Sequence, residues 1–453
     1  MTSSVLLKLA GGGLFARAMR GSAFTALGYV TSQAVRLASN LILTRLLFPE
    51  AFGLMALVTV FMVGLAMFSD VGLGPSIMQN KRGDDPHFLD TAWTIQVIRG
   101  AVLWLGTCAL ALPVAAFYGA PALGQLLPVA GLTLLIAGFN PTRIETANRH
   151  LALGLVTLLD LASQVVGIAV MVAIAMATGS VWALVWGGIA GQATKLLLTT
   201  AWLPGTRNRF RWDRAAATEL VRFGKWIFLS TACGFLLTQG DKAILGRYLS
   251  LESLGVYNIG YFLASFPMLL AGAVTGRVLI PLYRDSHPGS APDNARKLRR
   301  MRYVLSATIA GLLALMALIG VPLVGLLYDA RYAAAGGIVV LIACLQMPQM
   351  VGQTYDQAAL AAGDSRSFFL VMAGRAAMQT ALFLLGAEIG GLVGALAGQA
   401  LASVLVYPAV VWLARKHGAW DAWHDLVFWT FGLSVCGLSL WVNWAAIAIL
   451  IGK

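Results

Sequence analysis

The sequence predicts an all-α polytopic membrane protein: two parallel six-helix bundles around a central cavity, plus about one extra C-terminal helix. Three observations carry that expectation. Of 453 residues, 59% are apolar and only 11% are charged, with a mean hydropathy of +0.79; a soluble domain has about 25% charged residues. The apolar residues gather in runs of about 20 or more, the length that carries a helix across hydrocarbon. Short motifs also recur at offsets of 202 and 207 residues. Folded in water, such a chain would expose too much apolar surface, which excludes soluble enzymes, nucleic-acid-binding domains and disordered proteins.

Apolar runs between polar gaps place six spans near 23–44, 52–78, 92–115, 123–141, 154–177 and 181–201. Six more follow near 226–246, 254–282, 303–327, 337–360, 368–387 and 391–413, and a thirteenth run covers 426–451. The last is long enough for one tilted helix and too short for two. The expected organisation is a cytoplasmic N-terminal segment (1–21), a first bundle (22–205), a basic cytoplasmic linker (206–225), a second bundle (226–414), and a loop with the extra helix (415–453). An interfacial helix is expected at about 3–19. Lys8 and Gly11–Gly13 interrupt the start too early for a cleavable signal peptide.

The net charge of +13 has a topological cause, because cytoplasmic loops retain Lys and Arg. With the N-terminus inside, the cytoplasmic segments hold 22 Lys and Arg and the opposite side holds 4. No nucleic acid is needed as a partner. The five histidines fall in polar gaps, so none is expected to serve a metal or proton relay at membrane depth. Cys108, Cys233, Cys344 and Cys436 lie far apart inside apolar runs and read as small buried residues. Asp84-Asp85-Pro86-His87 resembles a metal cluster only superficially, since no further ligands follow. No loop is long enough for a nucleotide-binding domain and no phosphate-binding glycine loop is present, so an ATP-driven pump would need a separate ATPase. A ligase or polymerase would carry a catalytic outer loop, and none is visible; the chain is not expected to be an enzyme.

The recurrent motifs fall on corresponding helices. Arg45, Leu47, Glu50 and Gly53 after the first span match Arg247, Leu249, Glu252 and Gly255 after the seventh. Ala190-Gly191-Gln192-Ala193 in the sixth recurs as Ala397-Gly398-Gln399-Ala400 in the twelfth. A displacement of six helices preserves orientation, so the repeats are parallel, as in transporters built from two halves.

The stretch from Ser69-Asp70 through Gly72, Leu73, Ser76 and Ile77 to Gln79 resembles polysaccharide flippases of the Wzx type, in the colanic-acid-exporter-like branch. So do Asp241-Lys242 with Gly246 and Arg247, Gly255 with Tyr257, Asn258 and Tyr261, Pro267, and Arg277 with Pro281. The resemblance runs from about residue 20 to 415. It implies the twin six-helix fold of the multidrug/oligosaccharidyl-lipid/polysaccharide superfamily. It further implies transport of undecaprenyl-diphosphate-linked oligosaccharide repeat units from the cytoplasmic to the periplasmic leaflet of the bacterial inner membrane, by alternating access. Lipid-linked oligosaccharide and membrane lipids are the implied partners, with a polysaccharide polymerase and chain-length proteins alongside. Many relatives have a fourteenth helix, whereas this chain reads as thirteen. The rival on the same architecture is an ion-coupled antiporter of drugs or small metabolites.

Charges at membrane depth are costly and therefore functional candidates. Arg36 lies well inside the first span; one reading has its fork of donors contacting the diphosphate, another pairs it with an acid or carbonyls between helices. Arg99 and Arg375 either form an inner cationic entrance or snorkel. Lys242 and Arg277 complete the substrate-binding candidates, and Lys195 reads as interfacial. Asp70, Asp160 and Asp241 are the candidates for coupling to a proton or sodium gradient, with pairing to an Arg as the structural alternative. Asp241 and Lys242 are neighbours on a helix and point about 100° apart, so they are not expected to share a partner. No metal, catalytic residue or cofactor other than a coupling ion is expected. Gly390, Gly394 and Gly398, with Gly187 and Gly191, are expected to let helices approach closely. The basic run Arg296–Arg302 is expected beside anionic lipid, and Trp202, Trp212, Trp226, Trp420 and Trp423 as interfacial anchors.

Overall fold

Helix dominates because apolar runs of this length can satisfy their own backbone groups without water. The computed structural model describes residues 14–69, 72–272, 275, 283 and 292–451, with side chains from residue 27 except 221–228, 292–293 and 295. In chain order the helices are α1 (Leu14–Leu46), α2 (Pro49–Phe68), α3 (Leu73–Gln79), α4 (Pro86–Tyr118), α5 (Leu123–Ala130), α6 (Leu132–Gly138), α7 (Arg143–Arg149), α8 (Leu153–Thr178) and α9 (Trp182–Trp202). There follow α10 (Arg214–Tyr248), α11 (Leu251–Ala264), α12 (Pro292–Leu327), α13 (Ala335–Ala361), α14 (Ser365–Lys416), α15 (Ala422–Val442) and α16 (Trp444–Ile451). Residues 1–13 of the expected interfacial helix lie outside the described residues, and from Leu14 the chain is already in α1.

Seven described helices are each long and apolar enough to cross a membrane, and two bent pairs bring the number to nine. α1, α9 and α10 do not reach that hydropathy, because residues such as Gln33 and Arg36, Gln192 and Lys195, or Asp241 and Lys242 dilute their apolar runs. The chain divides into two compact units, Met1–Leu47 with Leu57–Ala232, and Phe48–Ala56 with Cys233–Lys453.

In the first unit, α8 packs along α1 and α9, and α4 along α5 and α6. Glycines set the closest approach: a Cβ on Gly167 would meet the Gly187 carbonyl oxygen at 2.9 Å and the Gly191 Cα at 3.0 Å. The expected 52–78 span is broken, since α2 stops at Phe68 and α3 begins after Gly72, which is left-handed at φ 63°. The segment expected to be a linker at 206–225 is helical from Arg214. Asp213 starts that helix by accepting the Ala215 amide at 2.8 Å, and Ala216 and Leu220 bury against Leu73, Ile77, Phe88 and Leu89. Asp85 caps α4 in the same way, with Pro86 in the first turn.

In the second unit α13 is the central helix, packed on α11, α12, α14, α15 and α16. α14 contains the eleventh and twelfth expected spans, which meet at Gly390 and Gly391; Gly391 is left-handed at φ 55°. The two halves of α14 touch backbone to backbone. A Cβ on Gly386 would strike the Gly394 carbonyl, and one on Gly398 the Leu382 carbonyl. The run expected as one helix over 426–451 is two, separated at Asn443, whose side chain donates to the Ala317 and Ser439 carbonyls. An apolar run cannot register that break, because it is made by one polar side chain competing for helix carbonyls.

Candidate functional site

The polar interior of the second unit is built on one face of α13. Gln346, Gln349, Gln353 and Gln357 follow at steps of three or four residues, which stacks them along a single helix face. They line a cavity of about 320 Å³ closed by Tyr257 and Tyr261 of α11 and by Arg375, Gln379, Gln399, Ser403 and Tyr407 of α14. Gln349 donates to Ser403 Oγ at 3.3 Å. The Oε1 atoms of Gln346, Gln353 and Gln357 are buried and accept no hydrogen bond among the described residues. Buried amides of this kind favour a ligand that brings hydroxyl donors. Asp356 is the one carboxylate among the described lining residues, and Arg375 holds it at 3.2 Å.

The expected site residues fall in different places. In the second unit, Arg375 reaches the cavity in its ion pair with Asp356. Asp241 is buried behind the cavity wall and accepts from Tyr257 Oη at 2.7 Å. Lys242 sits 4.6 Å above the Tyr261 ring. Asp241 and Lys242 thus do converge on one partner helix, because Tyr257 and Tyr261 stand one turn apart on α11. In the first unit, Asp160 is paired with Lys195 at 2.8 Å, with both side chains partly exposed. Arg36 is exposed on α1 and forms no hydrogen bond or ion pair among the described residues. Arg99 donates to the Ala66 carbonyl at 2.6 Å and to Ser69 Oγ at 2.9 Å, at the C-terminal end of α2. Asp70 and Arg277 lie outside the described residues.

Arg99 belongs to a set. Arg143 donates to the carbonyls of Thr200, Leu203 and Thr206 at the end of α9. Arg149 donates to those of Ile77, Met78 and Asn80 at the end of α3, and pairs with Asp84 at 3.0 Å. Each guanidinium satisfies carbonyls that a helix end leaves unpaired, at the negative end of the helix dipole. His150 also bonds Asp84, at 2.8 Å, and together these partners hold that carboxyl below the usual carboxylate range, the His150 hydrogen bond contributing most.

The sequence reasoning missed one buried cluster. His424 is fully buried in the first turn of α15, not in a polar gap as expected. Its ring bonds Asp425 through Nδ1 and Ser306 through Nε2, both at 2.9 Å. Asp425 also accepts from Tyr355 and Tyr407 at 2.6 Å and from Trp420 at 3.1 Å. Tyr407 therefore links this cluster to the cavity wall. Ser306 is inaccessible, so the Ser–His–Asp order has no route to a substrate. The glutamine stripe was also missed; its signal was the helical spacing of four amides inside an apolar run.

Apolar helices of spanning length, with ion pairs and an amide-lined cavity inside them, define a multi-pass membrane protein of transporter-like fold. The chain belongs to the family described as polysaccharide biosynthesis protein, whose model matches residues 42–336. It is 20% identical over 400 residues to the lipopolysaccharide biosynthesis protein WzxC of Escherichia coli (strain K12), covering 86% of this chain and 79% of that one. It is 22% identical over 384 residues to the succinoglycan biosynthesis transport protein ExoT of Rhizobium meliloti (strain 1021), covering 83% and 75%. Among solved structures, the lipid II flippase MurJ in an inward closed conformation superimposes with a TM-score of 0.68 at 9% identity, over 94% of this chain and 97% of that one. An inward-facing MATE-family multidrug resistance transporter of the MOP superfamily gives 0.65 at 14% identity, over 85% and 95%. These last two likenesses show the fold. The family match agrees with the resemblance drawn from the motifs at Ser69–Gln79 and Asp241–Tyr261, both of which lie inside the matched residues.

Proposed function

We propose that this protein is a flippase for lipid-linked oligosaccharide repeat units, carrying them from the cytoplasmic to the periplasmic leaflet of a bacterial inner membrane by alternating access. The observation that carries this reading is the amide-lined cavity in a member of this family. A sugar unit presents many hydroxyls and cannot cross hydrocarbon unassisted. Six glutamines offer it paired donors and acceptors without adding charge. A cationic drug would instead call for an unpaired carboxylate, and Asp356 is neutralised by Arg375, which weighs against the antiporter alternative.

In this reading Arg36 contacts the diphosphate, since it is exposed and its guanidinium donates no hydrogen bond among the described residues. Arg99, Arg277 and Lys242 supply positive potential around the path, and Arg375 meets it within its ion pair with Asp356. Coupling to protons or sodium falls to Asp70, Asp160 and Asp241, and no covalent chemistry is needed. The N-terminus is cytoplasmic, as the distribution of Lys and Arg argues, and a polymerase and chain-length proteins act on the delivered units. The test is leaflet assignment in the native host with this gene deleted and polymer synthesis otherwise active. Intact spheroplasts are treated with a membrane-impermeant sugar-labelling reagent. Protected, cytoplasm-facing lipid-linked oligosaccharide is the expected result; normal outward exposure overturns the reading.

A further inference from the structure

A second cavity of about 430 Å³ lies in the second unit, lined by Leu298, Arg299 and Arg302 from α12 and by residues 418–423 at the start of α15. Arg302 is only 4% exposed. It donates to Tyr283 Oη at 2.6 Å, and its guanidinium lies 4.5 Å over the Tyr355 ring. Its Nε is buried and has no acceptor among the described residues. A buried guanidinium with a free donor is expensive without an anion, so the nearby carboxylates must be accounted for. Asp421 pairs with Arg299 at 2.8 Å and accepts the Trp423 and His424 amides that open α15. Asp425 is saturated by His424, Tyr355, Tyr407 and Trp420. Neither carboxylate supplies Arg302 with a partner within ion-pair distance.

We infer that this cavity binds the phosphodiester headgroup of an anionic membrane phospholipid, with Arg302 and Arg299 as its donors. The choice of a lipid over a free anion rests on what adjoins the cavity. Trp423 and Leu426, one turn apart at the start of α15, are exposed beside the charged pocket, and Leu433, Leu438 and Trp441 are exposed farther along the same helix. A Trp at its head is where an interfacial anchor belongs, and an acyl chain fits the remainder. Arg296, Lys297 and Arg300 are exposed on the same turns as Arg299 and Arg302 and add long-range attraction for an anionic surface. The site is distinct from the glutamine cavity and does not depend on what that cavity carries.

The test uses the full-length protein in neutral detergent, with thermal unfolding followed as phosphatidylglycerol, phosphatidylcholine or inorganic phosphate is added. Phosphatidylglycerol should raise the melting temperature saturably and phosphatidylcholine should not. Arg302→Gln should raise the half-saturating phosphatidylglycerol concentration about tenfold, as expected for losing a charge-assisted contact. Because Arg302→Gln could unfold, wild-type protein in nanodiscs is also cross-linked to a photoactivatable phosphatidylglycerol, with adducts expected at 298–302 and 418–423. Equal response to both lipids, an unchanged titration for Arg302→Gln, or adducts confined to other segments would overturn the inference. A full shift from inorganic phosphate alone would assign the site to a free anion and overturn the lipid.

Discussion

Gly53 and Gly255 present their bare α-carbons to each other's helices. A Cβ on Gly53 would strike the Leu251 carbonyl, and one on Gly255 would strike the Pro49 carbonyl. Both pairs are related by the 202-residue offset of the sequence repeat, so equivalent atoms of the two copies exchange equivalent contacts. The repeat therefore preserves a backbone-to-backbone crossing that only glycine on both sides permits.

Alanine at either position should destabilise the protein by about 1–3 kcal/mol or more, because the obstructing atoms are backbone and cannot turn aside. Gly188→Ala and Gly311→Ala serve as controls, since a Cβ there meets nothing within 4 Å. They should be neutral or stabilising by up to about 1 kcal/mol. Thermal unfolding in detergent distinguishes the two classes; equal behaviour would remove the crossing from the account.

That crossing was legible in the sequence as a motif, because each glycine needed its own copy of the same residues. Other features were illegible for identifiable reasons. Arg99 reads as a cation at membrane depth, yet what it bonds is the end of α2 some 30 positions earlier, and no local pattern states where that end falls in space. The break at Asn443 interrupts a run that is apolar on both sides, whereas the one at Gly72 is marked by Asp70, Gly74 and Pro75 around it. His424 is the third residue of α15, and it is covered by Ser306 and Tyr303 on α12 and Tyr355 on α13, far away in sequence. The stripe of glutamines carries no charge, so its mark in the sequence is the helical spacing of four amides alone.

The arginines that close helix ends should be structural. Arg149→Ala removes the shared donor of three carbonyls and leaves Asp84 to His150 alone, a loss of about 2–4 kcal/mol if some carbonyls recover water. Arg149→Lys should recover only part of it, because one ammonium cannot reproduce the planar fork. Thermal stability, rather than transport, is the quantity to compare; full rescue by Lys would count against the multiple-carbonyl role.

Gln353→Leu and Gln357→Leu should separate stability from transport. Each replaces an amide whose Oε1 is buried without a partner, so the melting temperature should hold or rise. Export of polymer should fall about tenfold or more per substitution if each amide holds a sugar hydroxyl, tenfold corresponding to about 1.4 kcal/mol. Unchanged export with raised stability would mark the stripe as unused by the cargo.

Asp364 ties the two ends of α14 together: it accepts the Ser367 amide at 3.1 Å, and Lys416 approaches to 2.7 Å and His417 to 3.2 Å. The Lys416 contact, reinforced by the Ser367 amide, holds its carboxyl well below the usual carboxylate range. A depressed acid stabilises the fold fully above its ordinary value of about 3.9, and that contribution is lost as pH falls through the lower folded value. Asp364→Asn should therefore melt below wild type by a constant margin above about pH 5, closing only under strong acid. A margin that vanishes between pH 5 and 8 would place the effect on another group.

Asp425 should be the least replaceable acid among those described in the second unit. Four donors converge on its two oxygens: Tyr355, Tyr407, Trp420 and His424. Asp425→Leu strands all four and should cost about 3–5 kcal/mol, the range for breaking a buried pair from one side. Asp425→Asn keeps one acceptor but points a donor at groups that also donate, so it should recover little. Ser306→Ala removes only the outer hydroxyl bonded to His424 Nε2 and should cost about 1 kcal/mol. If these residues formed a working nucleophile, Ser306→Ala would abolish function while leaving stability intact, and a serine-reactive phosphonate would label the wild type. Burial predicts the opposite on both counts: stability falls slightly and no label enters, because neither Ser306 nor His424 has any exposed surface.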